Sequence, residues 1–183
     1  MKILVIQQKR IGDVLTSTIL CNNLKKKFPD ATIDYMCYSN CVDVLLENPS
    51  INEIIVLSHK VRKSYLKLFK FIFEIRRKKY DVVIDAYSKL ETNLITLFSG
   101  AKYKISYDKG YSKMFYNHNI KRLKNGTKSE LGLAIDNRLM LLKPLISETI
   151  TEYKPKIFLR NDEIETAEQL LKKHNIIYGE KPL

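Results

Sequence analysis

Short apolar runs alternate along the chain with longer stretches in which apolar residues recur every three or four positions. The runs "KILVIQ" (2–7), "ATIDYMCY" (31–38), "EIIVLS" (53–58), "DVVIDA" (81–86) and "YKISY" (103–107) are rich in β-branched residues and bounded by charged or turn residues, as strands are; "KIFLR" (156–160) is a sixth candidate. Between the first two, Leu20, Leu24 and Phe28 stand four apart within 13–28 until Pro29-Asp30 ends a helix. Segment 61–79 puts Val61, Tyr65, Leu68, Phe69, Ile72 and Ile75 on one helical stripe, with Phe71 and Phe73 widening it. Its other face carries Lys63, Lys67, Lys70, Arg77, Lys78 and Lys79. Further helices are expected over 88–100, closed by Gly100, over 129–145, stopped at Pro144, and after an Asn161 or Asp162 cap, with Ile164, Ala167, Leu170 and Leu171 on one side. This alternation predicts βαβ units with right-handed crossovers: an α/β fold with a mainly parallel sheet.

At 183 residues the chain is one domain or slightly more, and 45% hydrophobic residues suffice for a core. Its net charge of +12 predicts anionic partners: nucleic acid, phosphorylated substrates or an acidic membrane surface. The basic face of 61–79 reads first as the solvated face of an ordinary sheet-covering helix, and it also suits peripheral contact with anionic headgroups. The stretch "KGYSKMFYNHNIKRLKNGTK" is an irregular, aromatic and basic loop, but no RNP, helix-turn-helix or zinc-finger pattern accompanies it, so no nucleic acid is expected. No window approaches the ~18 apolar residues of a membrane-spanning helix.

Three cysteines, an odd number with no signal-like stretch behind Met1, point to a reducing, cytoplasmic setting. Cys37 and Cys41 lack zinc spacing and read as buried thiols, and His59, His118 and His174 are scattered; no metal site is expected. The turn after the first strand holds Gly12 but no second or third glycine, which disfavours nicotinamide and P-loop nucleotide binding.

That turn, "QQKRIGDVL", remains to be explained. Gly12 permits a tight backbone or the close approach of a ligand. Asp13, at the first turn of a helix, reads either as a first-turn acid or as a catalytic base at the carboxyl edge of a parallel sheet, where open α/β folds bind ligands.

The opening stretch through "LLENPSINEIIVL", together with "KKYDVVIDAYSKLETNLITLFSGAKYKISY" and "NRLMLL", resembles in order the lipopolysaccharide heptosyltransferase family, glycosyltransferase family nine. The resemblance implies a GT-B architecture of two Rossmann-like domains across a cleft, this chain being the N-terminal, acceptor-binding one. Residues 1–175 would form that domain. Residues 176–183 would begin the linker to a C-terminal domain that binds the nucleotide sugar.

The implied reaction is inverting and metal-independent. It moves a heptose or related sugar from a nucleotide diphosphate donor of the ADP-heptose kind to an inner-core lipopolysaccharide or related glycan. No cofactor is implied, and this half alone should be inactive. Asp13 matches the family's acidic residue and would be the general base. Lys9, Arg10 and Gly12 would line the acceptor edge, with Ser88 and Lys89 after the fourth strand as second-tier acceptor contacts; Ser88 also reads as a simple cap. An anionic glycolipid or glycan is the implied partner, met at the cytoplasmic face of the inner membrane. The reading of a different class is a non-catalytic basic module that binds anionic membrane or glycan.

Overall fold

The computed structural model describes residues 1–124, 132–147, 153–174 and 176. In chain order it contains β1 (Lys2–Ile6), α1 (Ile11–Lys27), β2 (Thr32–Cys37), β3 (Glu53–Val56), α2 (His59–Arg62), α3 (Tyr65–Arg77), β4 (Val82–Asp85), α4 (Leu90–Phe98), β5 (Tyr103–Tyr107), β6 (His118–Ile120), α5 (Leu133–Met140) and α6 (Asn161–Lys173). The strands form one sheet in the order β3-β2-β1-β4-β5-β6, and every pairing is parallel.

Side chains alternate across the pleat, and both faces are covered. Ile3 and Val5 of β1, Ile33 and Tyr35 of β2, and Val82 and Ile84 of β4 pack with Leu20 and Leu24 of α1 and Leu139 of α5. Leu4, Ile6, Met36 and Val83 point the other way, against Leu68, Ile72 and Ile75 of α3 and Ile95 of α4. Burial on both sides is why these strands read as unbroken apolar runs. The result is a three-layer Rossmann-like domain.

Two expectations are corrected. The sixth strand is 118–120, not 156–160; the latter has no regular structure and is largely exposed. A three-residue edge strand, His-Asn-Ile, needs no β-branched run, because it is held by register with β5, opposite Ile105, Ser106 and Tyr107. The single helix over 61–79 is broken into α2 and α3. The Ser64 hydroxyl accepts from the N–H of Lys67 and starts a new helix. After the break, Tyr65 and Phe69 are exposed and Phe71 is partly buried against the core. Helices α1, α4 and α5 lie within the predicted spans apart from α1's start at Ile11; residues 129–131 of the third span lie outside the described residues. No residue of α6 is buried.

Candidate functional site

β1 sits between β2 and β4, so the chain leaves it in opposite directions on its two sides. Open α/β sheets have a crevice at such a point, beyond the carboxyl ends of the strands. A cleft of about 580 Å³ opens there. Gln7, Lys9, Arg10 and Asp13 reach it from the end of β1 and the first turn of α1, Ala86 and Tyr87 from the end of β4, and Tyr107 from β5. Arg122 and Arg138 close the far side.

Among the described residues Asp13 is the single carboxylate lining the cleft, against Lys9, Arg10, Arg122 and Arg138. The Arg138 guanidinium donates from Nη2 to Asp13 Oδ1 at 2.7 Å. Its Nε donates to Ser17 Oγ at 2.8 Å, and that hydroxyl donates to the Asp13 carbonyl at 2.7 Å. One arginine therefore fixes both the side chain and the backbone of Asp13. Asp13 Oδ2 has no hydrogen bond among the described residues. No side chain caps α1 at Arg10, so the positive end of the helix lies beside the carboxylate.

The floor is a rigid turn. Asp85 is fully buried, and its Oδ1 accepts from the N–H groups of Tyr87 (2.9 Å) and Ser88 (2.7 Å), while Oδ2 accepts from the Tyr116 hydroxyl at 2.7 Å. Burial pushes the Asp85 carboxyl above its ordinary range, against the pull of these donors. Ser88 is held at φ +51°, in the left-handed region. Lys109 straps the turn from above: its ammonium donates to the carbonyls of Tyr87 and Ser88, each at 2.9 Å. Burial pushes this ammonium below its usual range, with Arg122 adding to the effect. The Arg122 guanidinium stacks 3.9 Å over the Tyr107 ring, whose hydroxyl burial raises to about 12.

The structure brings Lys9, Arg10 and Asp13 to one cleft. Gly12 lies in the first turn of α1 with open space before it, and its backbone does not require a glycine. Ser88 is buried in the turn and bonded internally, with Oγ 3.3 Å from Asn93 Oδ1, and Lys89 is exposed at the start of α4; neither lines the cleft. The cap of α4 comes instead from Thr92, whose hydroxyl accepts from the N–H of Lys89 at 3.0 Å. Arg122, Arg138, Tyr87 and Tyr107 were missed by sequence reasoning. Tyr87 and Tyr107 had a signal, since both stand at the ends of parallel strands. All three cysteines are buried free thiols. Among the described residues no three His, Cys, Asp or Glu side chains come together as a metal site.

The strand order and the layers on both faces define the class: a Rossmann-like α/β domain, of the kind GT-B glycosyltransferases contain. The fold matches the glycosyl transferase family 9 protein from Veillonella parvula DSM 2008 with a TM-score of 0.78, at 19% identity, over 98% of this chain and 51% of that one. It matches an Escherichia coli heptosyltransferase determined with ADP at a TM-score of 0.68 and 17% identity, over 85% of this chain and 51% of that one. In sequence the chain is 28% identical over 158 residues to lipopolysaccharide heptosyltransferase 3 of Escherichia coli, covering 81% of this chain and 46% of the relative. It is 30% identical over 106 residues to lipopolysaccharide heptosyltransferase 2 of Escherichia coli strain K12, covering 57% and 30% respectively. No family model matches. The chain is thus similar to lipopolysaccharide heptosyltransferases over part of their length, spanning about half or less of these relatives.

Proposed function

We propose that this chain is the acceptor-binding half, over residues 1–175, of a two-domain glycosyltransferase. The enzyme would move a heptose or related sugar from a nucleotide diphosphate donor to an inner-core lipopolysaccharide or related anionic glycan. The observation that carries the reading is the position of Asp13: one carboxylate among four cations, at the switch point of a fold and sequence similar to heptosyltransferases. The donor, of the ADP-heptose kind, would be held mainly by a second domain following residues 176–183, so this half alone is expected to be inactive.

In the proposed chemistry the acceptor hydroxyl attacks the anomeric carbon from the face opposite the leaving nucleotide diphosphate. The new C–O bond forms as the old one breaks, inverting the configuration, and the diphosphate leaves with the electron pair. Asp13 Oδ2 takes the hydroxyl proton while Arg138 holds Oδ1. No step calls on a metal ion. Lys9, Arg10 and Arg122 bind phosphates or carboxylates of the acceptor. Because such acceptors are lipid-anchored, the enzyme would work at the cytoplasmic face of the inner membrane. Among the described residues no helix is long and apolar enough to cross it.

The test is Asp13→Asn in the full-length protein. Turnover should fall by about 10²–10⁴-fold with acceptor affinity nearly unchanged. Equal turnover would remove Asp13 from the mechanism, and binding without any transfer by the wild type would favour the non-catalytic module.

A further inference from the structure

The break between α2 and α3 leaves a surface that the core does not use. Tyr65, Phe69 and Phe73 stand four apart along the flank of α3 that faces α4, and Leu90, Leu94 and Phe98 stand four apart on α4 opposite them. Between the rows runs a shallow groove of two pockets, mainly apolar, with Arg62, Lys63 and Glu91 at one and Arg76 at the other. Tyr65, Leu68, Leu90 and Leu94 line one end, and Phe69, Ile72, Phe73 and Phe98 the other. Leu66 projects beside it at 84% exposure, Tyr65 at 83% and Leu90 at 64%. Scattered exposed apolar residues need no explanation, but two facing rows of them on adjacent helices do.

The charge around the groove says what covers it. Residues 59–79 carry nine Lys or Arg side chains against one acid, Glu74. Glu91, on the opposite rim, is already engaged by Arg62 at 3.7 Å. Exposed Tyr, Phe and Leu side chains bordered by lysines match the boundary of an anionic bilayer, where rings and aliphatic chains enter the acyl region and ammonium groups meet headgroup phosphates. A second copy of this chain would set the same cationic border against itself.

The groove is also placed to serve the cleft. The helices α2, α3 and α4 all begin at the carboxyl edge of the sheet. The Arg62 guanidinium stacks 4.4 Å over the Tyr38 ring, Tyr38 meets Tyr87 edge-on with ring centroids 6.3 Å apart, and Tyr87 lines the cleft.

We propose that the α3–α4 groove, with Tyr65, Leu66 and Leu90 at its head, Lys63 in its lining and Lys67 and Lys70 exposed on α3, is the surface on which the protein docks to an anionic lipid bilayer. Docking there would present the cleft to a glycolipid whose sugars rise from the membrane. This placement rests on the glycosyltransferase reading above; the lipid contact itself is tested without it.

The experiment is sedimentation of the full-length protein with vesicles of phosphatidylethanolamine containing phosphatidylglycerol, and with vesicles of phosphatidylcholine alone. The wild type should bind the anionic vesicles, release in high salt and ignore the neutral ones. Tyr65→Ser/Leu66→Ser, at positions too exposed to unsettle the fold, should lose about tenfold in vesicle affinity, and Lys67→Glu/Lys70→Glu a similar amount. Wild-type protein that stays in the supernatant, as it would if another segment or protein covers the groove, overturns the proposal, as does a serine variant that binds like the wild type. A deacylated, water-soluble acceptor separates the two readings. There the serine variant should turn over at the wild-type rate, whereas a wild type inactive on it would count against the transferase reading and leave the vesicle result standing.

Discussion

Replacing Tyr116 by Phe deletes one oxygen atom from beneath the cleft, and the structure allows its cost to be worked out. The hydroxyl has a single proton and two acceptors at 2.7 Å, Asp85 Oδ2 and Asn93 Oδ1; the carboxylate is the stronger acceptor and takes it. Asp85 is fully buried and Tyr116 only 5% exposed, so water does not replace the lost donor. A hydrogen bond to a buried charge contributes about 1.5–3 kcal/mol, so the loss should be about 2 kcal/mol, or about 4–8 °C in Tm for a chain of this size.

The loss should also depend on pH. Burial raises the Asp85 carboxyl in the folded state, so the native protein holds this proton more tightly than the unfolded chain. That contribution to stability is fully present below the unfolded value and is lost as pH rises through the raised folded value. Tyr116→Phe removes a group that favours the charged form and so moves the folded value further up. The variant's deficit is therefore largest near neutrality and shrinks on acidification, as Asp85 becomes neutral in both proteins. Urea unfolding of the two proteins across this range measures it. A deficit below about 0.5 kcal/mol at neutral pH, or one that grows in acid, would refute the reasoning.

Arg138→Ala should cost little stability through the ion pair, under about 1 kcal/mol, because Asp13 is 44% exposed and screened by solvent. With Asp13 as the proposed base, it should nevertheless lower transfer by the full-length protein about 10²-fold by freeing the carboxylate, and Arg138→Lys should rescue poorly because the fork reaching both Asp13 and Ser17 is lost; unchanged turnover in the alanine variant would show that the arginine positions nothing. Lys79 sits at φ +54° just past α3, so Lys79→Gly should stabilise by about 0.5–1 kcal/mol, read as a rise in Tm, and a fall would mean that its side chain contributes more than the strained backbone costs.

The central strands were legible because burial on both faces writes itself as consecutive apolar residues, as in "KILVI" and "VVI". Edge strand β6 was not, because three polar-flanked residues held by neighbouring backbone leave no such mark. The α2–α3 break turned on one hydroxyl, that of Ser64, inside a stripe whose spacing was otherwise helical. For the cleft, Asp13 and its preceding cations could be found because they are contiguous with a recognisable strand end. Arg138 could not, since it meets Asp13 across 125 residues and only the packing of α5 beside α1 brings them together. Ser88 read as a simple cap or an acceptor contact, yet the left-handed turn that buries it is fixed by Asp85, Tyr116 and Lys109, three residues from three different segments.

β1 lies in the middle of the sheet, and this bears on how the chain is made. Its first neighbour, β2, follows within about thirty residues, but its second, β4, does not emerge until residue 82, and the Lys2 N–H finds its carboxylate partner at Asp81. Until then a newly synthesised amino-terminal segment presents Ile3, Leu4, Val5 and Ile6 along an open strand edge. Closing that edge joins residues 79 apart in sequence. Pairing across so long a separation is intrinsically slow, and between the synthesis of Ile6 and of Asp85 this apolar edge of β1 has no β4 to cover it.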